Sequence, residues 1–178
     1  MPRFLLCVLL TGVLSSLHAE TSPAPAFTIQ DDQGQEISLP RQHDGVDIYF
    51  FWATWCPYCK ALMPHLQSIV EEYGEEVRIY AFNIREDGDP RAVLDRQGYG
   101  FTLIPEADSL MELYHIKGTP GLLLVDGKGD VQLNLYSLIE RQDAPEKGLS
   151  HSRKAARKAP WWAAKIRQQI DRILGGSN

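Results

Sequence analysis

The feature that most constrains this chain is the run Val46 to Trp52, apolar and aromatic except for Asp47, followed within four residues by Cys56-Pro57-Tyr58-Cys59 and then by a helical pattern. A strand with one solvated face would alternate in polarity, so an almost unbroken run predicts a central strand buried on both faces. From Pro57 onward, Leu62, Leu66, Ile69, Val70 and Tyr73 recur at three- and four-residue spacings; Pro57 suits a first helical turn and Gly74 ends the run. Pro64 lies inside that helix and predicts a kink. The strand thus hands two cysteines to a helix N-terminus, where unpaired backbone N–H groups and the helix dipole favour a thiolate. Cys56 is expected to be the accessible nucleophile, and Cys59, one turn into the helix and less exposed, the resolving thiol.

The rest of the chain supplies a sheet around that strand. Phe27-Thr28-Ile29 and Glu36-Ile37-Ser38-Leu39 flank a Gly-containing turn and predict a leading hairpin. Val77 to Asn83 reads as a second strand, and Asp89-Pro90 opens a helix that stops near Gly98. Tyr99 to Pro105 suits a strand or a loop, and Asp108-Ser109 could cap a short helix reaching Tyr114. Gly121 to Val125 and Val131 to Tyr136 predict a closing antiparallel hairpin. Alternating strands and helices imply an α/β domain with a central mixed sheet flanked by helices. We place it at residues 20–137, followed by a basic connector (138–159) and a C-terminal amphipathic helix (160–178) in which Trp162, Ile166, Ile170, Ile173 and Leu174 share one face.

Arg3, the apolar stretch Phe4 to Leu14 and the segment Ser15 to Ala19 read as a signal peptide (1–19), so an exported, periplasmic bacterial protein is expected. Cys7 falls in that segment, leaving Cys56 and Cys59. A disulfide closing so small a loop restrains the unfolded chain little, so the pair is expected to serve redox chemistry rather than stapling. No further cofactor is implied beyond a redox-active Cys56-Cys59 disulfide. His43, His65, His115 and His151 are scattered and form no second ligand pair for zinc, so no metal site is assigned; soft thiolates would permit copper handling. Residues 20–140 carry 8 Lys and Arg against 20 Asp and Glu, whereas residues 141–178 carry 9 against 3. An acidic domain argues against nucleic-acid binding. The basic tail could dock on the acidic body, or make peripheral contact with a membrane through Trp161-Trp162.

Phe51-Trp52-Ala53-Thr54-Trp55-Cys56-Pro57-Tyr58-Cys59-Lys60, followed by Pro64, resembles the active-site strand and helix of the TlpA/ResA-type thioredoxin-like proteins, a likeness that extends over roughly Phe27 to Tyr136. The resemblance implies a thioredoxin fold with an N-terminal hairpin, an inserted element supplied by Asp89 to Tyr114, and a cis peptide at Thr119-Pro120 facing the cysteines. It also implies that Trp55, Pro57, Tyr58, Thr119 and Pro120 bind substrate, with Thr119 offering backbone hydrogen bonds to an extended segment. Two positions depart from the family: a buried acid before the motif would fall at Phe50, and a glutamate after it would fall at Leu62. Neither residue moves a proton.

The chemistry expected is thiol-disulfide exchange, with protein disulfides as substrates and an upstream electron donor such as a membrane thiol reductase. Reduction is the leading expectation. Disulfide isomerisation, suggested by the likeness of Gly118-Thr119-Pro120-Gly121 to the loop of periplasmic isomerases, and oxidation are alternatives, as is a copper-handling role. Potentials of Cys-x-x-Cys proteins span about 150 mV, so the motif alone leaves the direction open.

Overall fold

The computed structural model describes residues 22–139 and 148–176; the expected signal peptide with Cys7, and residues 140–147 of the expected connector, lie outside the described residues. Strand β4 (Val46–Trp52) is buried along its whole length. It pairs in parallel with β5 (Val77–Asn83) and antiparallel with β7 (Gly121–Asp126). Helix α1 (Pro57–Tyr73) makes the crossover from β4 to β5 that a parallel pair requires. With β1 (Ser22–Pro23), β6 (Thr102–Ile104) and β8 (Asp130–Asn134), the sheet order is β1-β8-β7-β4-β5-β6. The leading hairpin is present as a separate ribbon, β2 (Phe27–Gln30) against β3 (Glu36–Leu39).

Alternation along β4 divides the core in two. Val46, Ile48, Phe50 and Trp52 face a cluster containing both motif cysteines and the inner faces of α1 and α5 (His151–Gly175). Tyr49 and Phe51 face the other layer, where Phe82 and Tyr114 surround them edge-on or stacked and the β2/β3 ribbon covers them through Phe27, Ile29 and Ile37. Asp47, the one charge in the run, is 1% exposed and held by Arg41 at 2.7 Å, with the His43 Nε2 3.3 Å from its other oxygen. A buried carboxylate persists only with such partners.

Helix α2 (Pro90–Gln97) starts and stops as its punctuation predicts: the Asp89 side chain accepts the Ala92 N–H, and Gly98 takes a left-handed conformation at φ 68°. The ambiguous segment after it forms β6, because β5 offers a free edge to pair with. Helix α3 (Ser109–Leu113) is present, but Asp108 makes no side-chain cap; its carboxylate accepts the Arg85 N–H instead.

Two boundaries differ from expectation. The last strand ends at Asn134, not Tyr136, and α4 (Leu135–Ile139) follows; Asn134 Oδ1 accepts the Tyr136 N–H at 3.0 Å, a local bond that turns the chain out of the sheet. The final helix begins at His151, not Pro160, and absorbs the basic run assigned to the connector. Ala155 and Ala159 carry its buried stripe backward from Trp162, Ile166 and Ile170, a continuation that small side chains conceal in a search for large apolar residues. Ser150 caps the new start through a bond from the Arg153 N–H. The helix packs on α1, with Arg167 on Glu72 at 2.6 Å and Tyr73 donating to Asp171 at 2.7 Å.

Candidate functional site

Cys56 occupies the N-cap of α1 in extended conformation, Pro57 fills the first helical position, and the Cys56 sulfur accepts the Cys59 N–H at 3.1 Å. The two sulfurs are joined in a disulfide with the Cα atoms 5.3 Å apart. A backbone donor aimed at the first sulfur is what a helix N-terminus supplies to a developing thiolate. The expectation that Cys56 would be accessible is corrected: it is 1% exposed, and Cys59 is fully buried. Both cysteines belong to the buried apolar cluster that also contains Trp52, Leu62 and Trp162.

The turn between strand and helix is held from outside by the loop after β5. The Glu86 carboxylate accepts from the Thr54 N–H at 2.8 Å, the Thr54 hydroxyl at 2.5 Å, the Asn83 amide at 2.6 Å and the N–H groups of Asp87 and Gly88. Burial, the largest single influence, pushes its pKa up, but hydrogen bonds from Thr54, Asn83 and the Gly88 N–H together outweigh it and hold the carboxyl at about 2. Gly88 permits this closeness, since a Cβ there would lie 2.6 Å from the Thr54 hydroxyl. The Trp55 indole N–H donates to the Arg85 carbonyl at 2.7 Å, fixing a ring that remains 47% exposed beside the dithiol. Trp52, by contrast, is core. Phe50 and Leu62, where the resemblance would place acids, are both fully buried among apolar side chains.

Thr119-Pro120 is a cis peptide. Gly121, the next residue, pairs with Phe51 near the end of β4, which sets this loop at the same end of the sheet as the motif. A Cβ on Gly121 would meet Ile116 at 3.0 Å and Phe51 at 3.2 Å, so the close approach depends on glycine. Just before the cis peptide, the Tyr136 hydroxyl donates to the Gly118 carbonyl at 2.5 Å and accepts the Gly118 N–H at 3.0 Å. Tyr58 meets the start of α5: its ring lies edge-on to His151 at 6.0 Å, with the hydroxyl 3.5 Å from Nδ1.

An open groove of about 540 Å³ runs beside the motif between α1 and α2, lined by Thr54, Lys60, Met63, Val93, Arg96 and Tyr99 among others. A larger one of about 770 Å³ lies at the opposite end of β4, around Gly45, Asp126 and Arg172, and holds no cysteine. All seven residues singled out in the sequence therefore collect at one end of the sheet. Glu86, Asn83, Arg85, Tyr136 and His151 join them without having been singled out for the site. Only the acid-rich stretch 86–89 carried a local signal; the others are brought in by chain crossings 18 to 93 residues long.

A family model described as the AhpC/TSA family matches residues 21–134. The thiol-disulfide oxidoreductase ResA of Halalkalibacterium halodurans is 30% identical over 120 residues, 65% of this chain and 68% of that protein. The thiol:disulfide interchange protein DsbE of Allochromatium vinosum is 28% identical over 157 residues, 86% of this chain and 77% of that protein. Among solved structures, StoA of Bacillus subtilis superposes with a TM-score of 0.52 at 25% identity, covering 62% of this chain and 87% of that one. A protein titled a putative thiol:disulfide interchange protein DsbE, from Chlorobium tepidum, shares the fold with a TM-score of 0.64 at 22% identity, covering 88% and 98%.

Proposed function

The chain belongs to the AhpC/TSA family and is a thiol-disulfide oxidoreductase; on that footing we propose that it reduces protein disulfides outside the cytoplasm, using Cys56 as nucleophile and Cys59 as resolving thiol. The observation that carries the residue assignment is the Cys56 sulfur at the N-cap of α1, accepting the Cys59 N–H and bonded to Cys59. In the reduced protein the Cys56 thiolate attacks one sulfur of a substrate disulfide, forming a mixed disulfide and expelling the other substrate sulfur as a thiolate. Cys59 then attacks the Cys56 sulfur, closing the Cys56-Cys59 disulfide and releasing the second substrate thiol. Two electrons pass to the substrate, and a dithiol donor upstream must return them.

Cys56 is buried in the oxidised state, so this cycle requires its sulfur to become reachable once the bond to Cys59 is broken. Trp55, Pro57, Tyr58 and the Thr119-Pro120 loop are the contacts offered to substrate. Glu86, held ionised at about 2, is a poor proton acceptor for Cys59 at neutral pH and serves the geometry of the turn. Location outside the cytoplasm rests on the N-terminal sequence pattern, 1–19.

Cys59→Ser should trap substrates as mixed disulfides and Cys56→Ser should abolish exchange; trapping by Cys56→Ser instead would reverse the two roles. The direction is tested by equilibration with glutathione. A potential near −120 mV, at the oxidising end of the known range, would replace reduction with oxidation.

A further inference from the structure

From the charge distribution around the dithiol, we propose that the first turns of α5 form a docking surface for an acidic segment of the substrate protein, lying beside the disulfide presented to Cys56. This rests on the oxidoreductase reading and names the class of substrate it would take. The run His151 to Lys158 contains four Lys and Arg and no acid, in a chain whose preceding domain is strongly acidic. Its start touches the motif itself, through the His151 contact with Tyr58. At 1.5 Å per helical residue, Arg153 and Arg157 lie within about 9 Å of His151 along the axis. That is close to one Debye length at physiological salt.

Arg167, in the second half of α5, is held by Glu72 of α1. Arg153 and Arg157, in the first half, are exposed and have no ion pair among the described residues. Two unpaired arginines on a helix whose start touches the motif raise the local concentration of acidic partners and fix their orientation. The opposite flank, around the Trp55 side, is mixed in charge, with exposed Asp87 and Asp89 beside exposed Arg85, whereas the start of α5 carries basic residues and no acid. An anionic membrane would be drawn by the same arginines. It would also need an apolar face to insert, and the stripe of α5 is already spent: Trp162, Ile166 and Ile170 are buried, and Trp161 is half-buried with Lys165 over its ring.

The test uses the full chain and the double variant Arg153→Glu/Arg157→Glu, both positions being exposed and outside the site. Three disulfides are compared as oxidants of the reduced protein: a peptide disulfide flanked by glutamates, the same peptide flanked by lysines, and uncharged hydroxyethyl disulfide. We expect kcat/KM for the acidic peptide to exceed that for the basic one by about tenfold at low salt. The preference should vanish near 1 M salt, where the Debye length is roughly 3 Å. It should invert in the variant, with hydroxyethyl disulfide reduced equally by both proteins. Equal rates for the two peptides, or a preference untouched by the variant, overturn the proposal while leaving the redox reading intact.

Binding of the same peptides with serine in place of cysteine separates the two readings further. Charge-selective binding without any exchange keeps the surface and sinks the chemistry. Anionic phospholipid vesicles that bind the wild type but not the variant, with no peptide preference, would assign the patch to a membrane instead.

Discussion

Replacing Glu86 with alanine tests whether the turn before the dithiol is held from the β5 side. Five donors converge on that carboxylate, from Thr54 twice, Asn83, Asp87 and Gly88. Holding it at about 2 instead of the ordinary 4.5 would correspond to ~3 kcal/mol at full value. The group is partly solvated, and screening reduces this to about 1 to 2 kcal/mol. The same loss counted through the donors agrees: Asn83 is 2% exposed and keeps only a long bond, 3.4 Å, to the Trp52 carbonyl, and leaving one of its buried N–H groups without a partner costs about 1 to 3 kcal/mol. We expect Glu86→Ala to lose about 2 kcal/mol, or roughly 4 to 8 °C in Tm for a chain of this size. The sign of the pH dependence follows from a depressed folded-state value. The contribution is complete above about 4.5, where the unfolded carboxyl is also ionised, and is lost as pH falls through about 2. Urea unfolding of the oxidised proteins at several pH values should therefore show a constant gap between wild type and variant from pH 5 to 8, closing between roughly pH 4.5 and 2. A gap below about 0.5 kcal/mol at pH 7, or one unchanged down to pH 2, would refute the argument.

Tyr136→Phe should leave the Gly118 N–H and carbonyl without their partner, costing about 1 kcal/mol and raising KM for peptide disulfides more than it lowers kcat; steady-state kinetics with peptide and with hydroxyethyl disulfide would check the split. Arg41→Gln strands the buried Asp47 carboxylate with His43 alone and should destabilise by about 3 to 5 kcal/mol in chemical denaturation, far more than an exposed ion pair would. Ile166→Ala, at a fully buried position between α5 and the rest of the core, should cost about 2 to 5 kcal/mol by the same measurement. Alkylation of the reduced protein by iodoacetamide should modify Cys56 well before Cys59; a Cys56 as unreactive as its neighbour would mean that reduction does not uncover it.

Much of this molecule follows from local pattern. The apolar run Val46 to Trp52 could satisfy itself only by burial on both faces, and the Pro57 start, the Leu62-Leu66-Ile69 stripe and the Gly74 stop define α1 nearly to the residue. The placement of two cysteines at a strand-to-helix junction, with their chemistry, needed nothing beyond this. Where the pattern misleads, a tertiary partner explains it. The segment after Gly98 becomes a strand because β5 has an open edge, and α5 begins nine residues early because α1 offers a surface that alanines can pack against. The burial of Cys56 is likewise invisible in a motif, since it depends on a core cluster assembled from α1, β4, α5 and their neighbours in the sheet.

What the sequence by itself determined is the set of elements and the reactive pair, because strand and helix periods and cap residues act over a few neighbours. The tertiary structure alone decided how that pair is held and what surrounds it: Glu86 and Arg85 grip the turn from 30 residues away, Tyr136 pins the cis-proline loop, and the basic start of α5 comes to rest against Tyr58. Such contacts are made by packing across layers, and no local spacing encodes which loop will arrive at the end of the sheet.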